Sequence, residues 1–404
     1  MNHATEPSPR PLEGLRILDV ATILAGPVCA TMLADFGAEV VKVEKPGTGD
    51  TTRQGSSDNS GLSLMWLQEG RNKRSITLDL HYPEGQALLK RLVTKVDAMV
   101  ENFRPGTLEK WGLAPEVLLA ANPRLVLLRV SGYGQTGPYR ERGSFDRTAS
   151  AFAGGTFVTG FEDRPPVRTG YAVADYMAAF VGAFSVMMAL YYRDARGGAG
   201  QVIDLGLYEP VFRASEATVP AYDRAKVVRQ RSGNKNPGVV PASNFLAKDG
   251  HWVVLNANTD RLWQRLTRAI GREELGTDER FATVAKRIKN EAEIYRLIEE
   301  WVASKTSDEA IDQLTAFQVP ASRINSIAEL FADPQIIARE NIVRVADSRI
   351  GPLAVPGIIP KLSLTPGRIE HLGPNLGEAN AAIYGGWLGL SDAEIEELRV
   401  KGVI

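Results

Sequence analysis

Residues 166–194 contain an apolar run that follows a polar, glycine-containing stretch. No charged residue lies between Asp175 and Arg193, and Met, Ala, Leu and Val dominate the residues between them. This pattern predicts a buried helix that begins at Asp175. A carboxylate there can accept hydrogen bonds from the unpaired N–H groups of the first turn, and the positive end of the helix dipole favours its ionised form.

Two roles are open to Asp175 from its position alone. It can be a helix N-cap, which is the commoner role for an Asp before an apolar helix. It can also be a carboxylate nucleophile directed into a cleft. One oxygen can cap while the other attacks, so the segment itself does not decide between the two roles.

The N-terminal region predicts a strand, a helix and a second strand. Residues 15–20 and 39–44 have the composition of strands, and a helix is predicted between them at residues 26–37. This order indicates the start of a parallel α/β sheet. Because the first turn lacks the G-x-G-x-x-G motif, a dinucleotide-dependent dehydrogenase is disfavoured. Cys29 is predicted to be a small core residue.

The strand and helix pattern continues along the chain. Further strands are predicted at residues 76–80, 98–101, 124–130 and 201–205, and helices at residues 84–95 and 208–224. The glycine-rich loop 131–139 lies where open α/β sheets bind ligands, and a plain flexible loop is the alternative. Arg71, Lys73 and Arg74 precede a strand and can form a solvated turn or hold phosphates.

Composition changes at residues 226–241, a basic segment with glycine and proline that is typical of a linker. Residues 242–325 beyond it predict a smaller α+β domain. Its elements are two strands around a Lys-Asp-Gly turn and two amphipathic helices, at residues 244–257, 260–271 and 290–305. Residues 353–364 are β-like and interrupted by proline, and Ser391 begins a final helix with a capping box.

The composition is that of an ordinary soluble globular protein. The chain has 404 residues, of which 44% are hydrophobic and 24% charged, with a formal net charge of −1. This length allows two domains, and the charge gives no indication of general binding to nucleic acid or membranes. One cysteine excludes an internal disulfide and a cysteine-based metal site, and the four histidines show no ligand spacing. We therefore expect no metal.

No targeting or membrane segment is indicated by the sequence. Residues 1–14 are polar and proline-rich, lack the apolar core of a signal peptide and predict a loose tail. The uncharged run 176–192 is shorter than the roughly 20 residues needed to span a bilayer. A cytoplasmic enzyme is the expectation.

A set of motifs spread over the chain resembles the family III CoA-transferases, also called the CaiB/BaiF family, which includes formyl-CoA:oxalate and carnitine CoA-transferases. The motifs occur in order from residue 12 to the C-terminus: LEGLRILDV, AGPVCATMLADFGAEVVKVEKPGTGD, NKRSITLDL, VENFRPGTLEKWGL, NPRLVLLRVSGYGQTGPY, YAVADYMAA, GAGQVIDLGLYE, PASNFLAKDG, VPASRI, DPQ and LGLSDAEIEELRVKGVI. The ordered set is specific, although a single fragment would mean little.

The resemblance implies a particular α/β fold. A Rossmann-like large domain would comprise residues 15–225 and be completed by the return segment 326–404. The α+β domain at 242–325 would be inserted between them after the linker 226–241. The resemblance also implies a homodimer whose two chains are interlocked like links of a chain.

The resemblance also implies a mechanism in which Asp175 is the catalytic aspartate. Its carboxylate would attack an acyl-CoA thioester and give an aspartyl anhydride, which CoA thiolate would convert to an aspartyl-CoA thioester. The acceptor acid would then run the sequence backwards. No permanently bound cofactor or metal is implied, since CoA or acyl-CoA is a substrate, and backbone N–H groups would stabilise each tetrahedral intermediate.

The resemblance also implies a set of CoA contacts, at the positions of this chain that match the CoA-contacting positions of the family. They comprise Leu24, Ala25, Lys45, Leu78, His81, Asn102, Phe103, Arg104, Lys110 and Trp111. Lys45, Arg104 and Lys110 suit phosphates, and Phe103 or Trp111 suits the adenine. Lys110 stands where the family usually has arginine, so the bidentate fork is lost. The Arg71, Lys73 and Arg74 cluster is a further candidate for CoA contact.

Departures from the family pattern bear on the substrate. Residues 234–247 lack the glycine run of formyl-CoA transferases, and Leu24 replaces their glutamine, so oxalate is a doubtful acceptor. The stretch VVPASNFLAKDG is more similar to the branch that uses succinyl-CoA and dicarboxylates. Arg168 can meet a substrate carboxylate or be a plain surface cation.

Two alternatives within the family remain to be weighed. An α-methylacyl-CoA racemase uses a His-Asp pair, but Phe145 stands in the place of that histidine and cannot shuttle a proton. A non-catalytic CoA-binding subunit of a hetero-oligomer is the other alternative, and the presence of Asp175 argues against it. Acyl-CoA and a carboxylic acid are the expected partners.

Overall fold

A computed structural model of the chain describes residues 9–55, 60–236 and 238–404. The described chain divides into two compact units. The larger comprises the chain up to Gly155, Thr169–Pro220 and Arg339–Ile404, and the smaller comprises Thr156–Arg168 and Ala221–Ala338. Residues 1–8 of the predicted tail lie outside the described residues. In its remainder Leu12 is buried, and its N–H donates to the Phe36 carbonyl at 3.0 Å.

The first part of the larger unit alternates strands with helices. Its strands are β1 (Arg16–Asp19), β2 (Glu39–Glu44), β3 (Lys73–Thr77), β4 (Ala98–Glu101), β5 (Val126–Ser131) and β6 (Gln201–Gly206). Its helices are α1 (Ala25–Asp35), α2 (Leu64–Glu69), α3 (Pro83–Val93), α4 (Thr107–Lys110), α5 (Pro115–Ala121), α6 (Asp146–Phe152), α7 (Val173–Ala195) and α8 (Glu209–Arg213), with a 3₁₀ turn at Thr51–Arg53.

The six strands form one parallel sheet in the order β3-β2-β1-β4-β5-β6. Apolar side chains alternate between its two faces, one packed against α1 and α7 and the other against α3 and the C-terminus. This is the Rossmann strand order, so the predicted α/β fold is confirmed. The order reverses between β1 and β4, where doubly wound sheets form a ligand crevice at the carboxyl ends of the strands.

The smaller unit contains helices and an antiparallel sheet. Its elements are α9 (Thr218–Ala225), which spans the boundary between the units, then β7 (Ala242–Leu246), β8 (Trp252–Asn256), α10 (Asp260–Ala269), α11 (Glu274–Thr277), α12 (Val284–Lys289), α13 (Glu291–Ala303), α14 (Ser307–Ala316), β9 (Ala321–Arg323), α15 (Ile327–Ala332) and α16 (Pro334–Ala338). The sheet order is β7-β8-β9. Gly250, at φ +83°, lies in the turn between β7 and β8, as the Lys-Asp-Gly sequence predicts.

The C-terminal segment returns to the larger unit. It contains β10 (Ile342–Val345), β11 (Leu353–Pro356), a π-helical turn at Ala381–Gly385, α17 (Gly386–Leu388) and α18 (Asp392–Val400). Tyr384 Oη donates to the Thr77 carbonyl at 2.6 Å, and Ile404 is buried in the core of the larger unit. Ser391 Oγ accepts from Glu394 N–H at the start of α18, as the capping box predicts.

Several element boundaries differ from prediction: α7 begins at Val173 rather than Asp175, β11 ends at Pro356, and larger differences occur at β3 and at α8. The strand predicted at residues 76–80 is β3, which begins at Lys73. The helix predicted at residues 208–224 is divided into α8 and α9, and Glu216 between them has a φ of +53°, which a continuous α-helix cannot accommodate.

The cations of Arg71, Lys73 and Arg74 are each paired with a carboxylate. Arg71 Nη2 is 2.7 Å from Asp35, Lys73 Nζ is 2.8 Å from Asp19 and Arg74 Nη1 is 2.5 Å from Glu39. The solvated-turn interpretation is wrong for Arg71 and Lys73, which are buried, whereas Arg74 is partly exposed. The charge pattern along the chain did not reveal partners so distant in sequence.

One helix of the described chain, α7, is long and apolar enough to cross a membrane, with 23 residues that include an 18-residue window of mean hydropathy 1.7. One side of α7 packs against α1 and the sheet through small residues such as Ala178 and Gly182. A core helix of a soluble protein passes the same test. Its other side exposes Phe180, Phe184 and Met188.

We expect the buried pair of Lys73 and Asp19 to be important for stability. Both side chains are completely buried. Lys73→Ala should leave Lys42 to pair with both Asp19 and Asp50, so one buried negative charge is in excess and the free energy of unfolding should fall by roughly 3–5 kcal/mol. Urea denaturation measures this loss. Arg399→Ala is the control, because Arg399 forms an exposed pair with Glu396 and its loss should cost less than about 1 kcal/mol. Equal losses in the two variants would contradict the expectation.

Candidate active site

A cavity of about 290 Å³ opens at the carboxyl ends of β4 and β5, and we call it the inner cavity. It is lined by Thr22, Ile23, Leu24, Ala25, Asn102, Phe103, Arg104, Pro105, Val130, Ser131, Gly132, Arg142, Gly143, Ser144, Phe145, Asp175 and Leu207. Its wall therefore combines the turn after β1 with the starts of α1 and α6 and the first turn of α7. This is the edge at which ligands bind in parallel α/β sheets.

The turn after β1 is fixed in an unusual conformation. Thr22 N–H donates to Asn102 Oδ1 at 2.7 Å, and Ile23 N–H donates to Asp50 Oδ2 at 3.2 Å. Ile23 has a φ of +69°, which is strained for a β-branched residue. Backbone strain of this kind is concentrated at functional sites, where surrounding contacts maintain it.

The start of α1 presents backbone donors to the inner cavity. No side chain caps this helix. Within the described residues, no acceptor is found for the N–H groups of Leu24, Ala25 and Gly26, and Leu24 and Ala25 line the cavity. Free N–H groups at a helix N-terminus can bind a carboxylate or a developing oxyanion.

Asp175 lines the inner cavity but does not cap its own helix. It is the third residue of α7, after Val173 and Ala174, and it is half-buried. In the part of the chain that the structure describes, nothing donates a hydrogen bond to its carboxylate. The Ala174 N–H instead donates to Asp146 Oδ1 at 2.8 Å. The N-cap prediction for Asp175 is therefore wrong, because Asp146 has that role.

The electrostatic surroundings of Asp175 favour its protonated form. Burial and, to a smaller extent, the nearby Asp146 carboxylate together raise the pKa of Asp175 to about 6. The stabilisation of the charged form that we expected from the helix dipole is outweighed. At pH 7 the ionised form still predominates by roughly tenfold. The carboxylate is then charged and partly desolvated, and it has no hydrogen-bond donor among the described residues.

A second cavity of about 190 Å³ adjoins the inner one, and we call it the outer cavity. It is lined by Val20, Thr22, Lys42, Val43, Glu44, Lys45, Gly49, Asp50, Leu78, Asp79, Leu80, His81, Phe103 and Trp111. Thr22 and Phe103 line both cavities. An elongated ligand can therefore extend from one cavity to the other along the ends of β1, β2, β3 and β4.

The outer cavity has an aromatic wall. The ring centroid of Trp111 is 5.2 Å from that of Phe103 and 5.3 Å from that of His81, both in edge-to-face geometry. His81 Nδ1 is 2.6 Å from Asp79 Oδ1. Lys45 is exposed among the lining residues. These are suitable surroundings for a planar base with an attached anionic group.

Most of the residues expected to contact CoA lie around these two cavities. The inner cavity is lined by Leu24, Ala25, Asn102, Phe103 and Arg104, and the outer by Lys45, Leu78, His81, Phe103 and Trp111. Lys110 is exposed at the end of α4 and lines neither cavity, and Arg168 is exposed in the smaller unit. Phe145, at the position where a racemase needs histidine, lines the inner cavity.

Close packing places Arg104 beside the loop that precedes α6. A Cβ atom added at Gly143 would lie 2.9 Å from Arg104 Nη2. Glycine at this position therefore allows the guanidinium to approach the wall of the inner cavity.

The sequence analysis assigned no role to three residues of the site, namely Thr22 and Asp50 in the cavity walls and Asp146 at the start of α7. Asp50 follows a Lys-Pro-Gly loop and caps the 3₁₀ turn through the Thr52 N–H, a local signal that could have been found. Asp146 begins α6 but caps α7, which follows 27 residues later. No local sequence signal reveals such a contact. No group of three or more metal-ligating side chains occurs among the described residues.

Known proteins are similar to this chain over most of its length. The sequence profile described as CoA-transferase family III matches residues 12–380. The succinyl-CoA–D-citramalate CoA-transferase of Chloroflexus aurantiacus is 45% identical over 98% of both chains. The beta subunit of a succinyl-CoA–L-malate CoA-transferase from the same species is 44% identical, also over 98% of both chains.

A solved structure shares the fold. The crystal structure of a CaiB/BaiF family protein from Brucella suis superposes with a TM-score of 0.82 and 34% identity. The match covers 94% of this chain and 99% of the Brucella chain.

Proposed function

The chain belongs to CoA-transferase family III, and we propose that it moves CoA from an acyl-CoA donor to a carboxylic acid by covalent catalysis on Asp175. The observation that carries this proposal is the position of the Asp175 carboxylate. It lies in the wall of the inner cavity, half-buried and without a hydrogen-bond donor among the described residues. A desolvated carboxylate that is still ionised at neutral pH is a competent nucleophile.

The first half of the reaction transfers CoA to the enzyme. An Asp175 oxygen attacks the thioester carbon, the carbon–sulfur bond breaks, and CoA leaves as the thiolate. The Asp175 carboxyl group and the donor acyl group are then joined as a mixed anhydride. The thiolate then attacks the aspartyl carbon, the anhydride carbon–oxygen bond breaks, and the donor acid leaves as a carboxylate. Asp175 now carries CoA as a thioester.

The second half regenerates the free Asp175 carboxylate. The acceptor carboxylate attacks the aspartyl thioester and releases CoA thiolate, which forms a new mixed anhydride. The thiolate attacks the acceptor's carbonyl carbon in that anhydride, giving the new acyl-CoA and free Asp175. No net proton is exchanged, so neither a general acid nor a metal is required by this sequence.

Each attack generates an oxyanion, and the start of α1 supports its stabilisation. The free N–H groups of Leu24 and Ala25 are at the wall that Asp175 shares. Donors that are fixed before the reaction contribute more than donors that must reorganise. The strained Ile23 and its bond to Asp50 hold them in place.

We place CoA across both cavities. Its adenine and phosphates occupy the outer cavity, where Trp111 and Phe103 offer aromatic faces and Lys45 a cation. The pantetheine arm passes Thr22 and Phe103, which line both cavities, and brings the thioester to Asp175 in the inner cavity. Arg104 is the cation along this path.

We propose succinyl-CoA as the donor and a dicarboxylate as the acceptor. The names of the two Chloroflexus relatives support this choice. The inner cavity also has Arg104 and Arg142 in its lining, and a cation there can pair with the second carboxylate of such substrates. Leu24 stands in place of the glutamine of oxalate-using relatives, so the pocket is less polar.

We further propose that the enzyme acts in the cytoplasm as an interlocked homodimer. The exposed side of α7 forms an apolar stripe with helical spacing, comprising Phe180, Phe184, Met188 and Tyr191. A contiguous exposed apolar stripe is typical of a protein–protein interface. A second copy of this chain is the partner, and a hetero-oligomer is the alternative, since one relative is named as a beta subunit.

Asp175 is expected to form a covalent adduct. Incubation with succinyl-CoA and hydroxylamine should leave a hydroxamate on Asp175, located by peptide mass spectrometry, because hydroxylamine cleaves anhydrides and thioesters. Asp175→Asn should form no adduct and lose at least about a thousandfold in kcat, since the nucleophile is absent. Full transfer activity in purified Asp175→Asn would overturn the mechanism.

A panel of donors and acceptors tests the substrate class. Dicarboxylates should exceed monocarboxylates of equal length by at least tenfold in kcat/KM, because only they provide a second carboxylate for the cations. A preference for monocarboxylates would contradict this.

The placement of CoA can be tested at Lys45. Lys45→Ala should raise the KM of every acyl-CoA donor to a similar extent, since all donors share the CoA moiety. A donor-selective effect would count against the placement of CoA.

The oligomeric state tests the role of the α7 stripe. The chain has a mass of 44.0 kDa, so light scattering after size exclusion should give twice that mass. Phe184→Glu should disturb the dimer, because a charge would be buried in an apolar contact. Val400→Glu is the matched control on another exposed helix position. A monomeric wild type, or equal behaviour of both variants, would contradict the proposal.

A further inference from the structure

The first turn of α7 is capped by a residue from another helix. Asp146 Oδ1 accepts the Ala174 N–H at 2.8 Å. Ala172, at the N-cap position, has no side chain able to cap. Within the described residues, the N–H of Ala172 also finds no acceptor. The helix terminus therefore relies on an external carboxylate, although Asp175 is close in sequence.

Asp175 occupies the position from which a carboxylate usually reaches back to the N-cap N–H. In a capping box the third helical residue makes that bond, and α18 in the same unit does so, with Glu394 accepting the Ser391 N–H at 2.8 Å. Asp175 does not, although the N–H of Ala172 has no acceptor within the described part of the chain. Both of its oxygens consequently remain available to the inner cavity.

We propose that Asp146 is a positioning residue that caps α7 in place of Asp175 and thereby keeps the Asp175 carboxylate free for attack. The inference rests on the proposed function and deepens it. Loss of the Asp146 cap would leave the Ala174 N–H without an acceptor, in addition to the N–H groups of Ala172 and Asp175, for which no acceptor is found among the described residues. Without the Asp146 carboxylate at this helix terminus, the Asp175 carboxylate would turn back toward the Ala172 N–H as in a capping box, and a hydrogen bond to its oxygen would reduce its nucleophilicity.

The charge of Asp146 contributes to the same effect. Together with burial, it raises the pKa of Asp175 to about 6. A more basic carboxylate is a stronger nucleophile, provided that it is ionised at the working pH. Substitution of Asp146 by a neutral residue should therefore lower the pKa of Asp175 and shift the acid limb of activity to lower pH.

Other ionisable groups near α7 must be considered for this pH dependence. Those on the elements packed against α7 are Cys29, Asp35, Arg129, Arg147, Asp204, Glu209 and Arg213. Asp35 is bonded to Arg71, Arg129 to Glu101, Asp204 to the Gln135 N–H and Glu209 to the Gly206 N–H.

On α7 itself, Tyr176 Oη donates to Glu69, and Arg104 and Arg142 line the inner cavity. Among the described residues, Asp146 is the ionisable group that contributes to the shift of Asp175.

The test compares two substitutions of Asp146 through the pH dependence of kcat/KM for the acyl-CoA donor. Asp146→Asn retains an oxygen acceptor and removes the charge, so the acid limb near pH 6 should move down by roughly half to one pH unit. Asp146→Ala removes the cap as well, so the limb should move at least as far and kcat should fall at least about tenfold.

Ser391→Ala is the control for a lost cap of purely structural importance. It removes the cap of α18 in the same unit and should lower the free energy of unfolding by about 1 kcal/mol. The acid limb of its pH profile of kcat/KM should remain that of the wild type. An unmoved limb in Asp146→Asn, or an Asp146→Ala variant that loses only stability as Ser391→Ala does, would overturn the inference.

Failure of the inference can be distinguished from failure of the proposed function. If the wild-type enzyme gives the Asp175 hydroxamate but the acid limb of the pH profile is unmoved in Asp146→Asn, the proposed function stands and only the inference about Asp146 is overturned. Absence of the hydroxamate, or full activity in Asp175→Asn, would overturn both the proposed function and the inference. A hydroxamate on Asp175 together with the shifted limb supports both.

Discussion

A buried network of charges at the end of β1 holds the site together. One oxygen of Asp19 accepts from Lys73, and the other accepts the Ala21 N–H. Lys42 donates to the Ala21 carbonyl and is 3.4 Å from Asp50, which in turn accepts the Ile23 N–H. Buried charges are costly unless paired and hydrogen-bonded. The network meets that condition, and it links three parallel strands to the turn that lines both cavities.

The consequence for the site is a turn that cannot relax. Ile23 has a left-handed conformation, and Asp50 accepts its N–H, a contact that helps to maintain the strained backbone. With the turn fixed, the first N–H groups of α1 face the inner cavity and remain without acceptors in the described chain. An anionic centre can be bound there without any reorganisation of the protein.

The carboxylates of Asp146 on α6 and Asp175 on α7 have different roles that follow from their positions. Asp146 uses an oxygen to accept the Ala174 N–H, and the carboxylate of Asp175, the next residue of α7, accepts no hydrogen bond from the described residues. Their proximity raises the pKa of Asp175. Two neighbouring groups of the same chemical type are thus differentiated by a single hydrogen bond.

Local sequence determined much of this protein. Apolar periodicity and turn residues identified β4 at residues 98–101, the capping box at Ser391 and the long helix that carries Asp175. Ordered motifs identified the family and named ten expected contact residues. Nine of the ten line the two cavities, and Lys110 lines neither. These features depend on neighbours along the chain, so the sequence alone reveals them.

Only the tertiary structure decided which charges meet. Lys73 and Asp19 are 54 residues apart, and Asp146 and Ala174 are 28 apart. No local pattern encodes such pairs, because parallel strands joined by crossover helices bring distant segments to one edge of the sheet. The carboxylate partners of the cations at residues 71–74 and the residue that caps α7 were not predicted for this reason. Ion pairs and hydrogen bonds between residues far apart in sequence, rather than helix or strand propensity, determine the partners of these charged side chains.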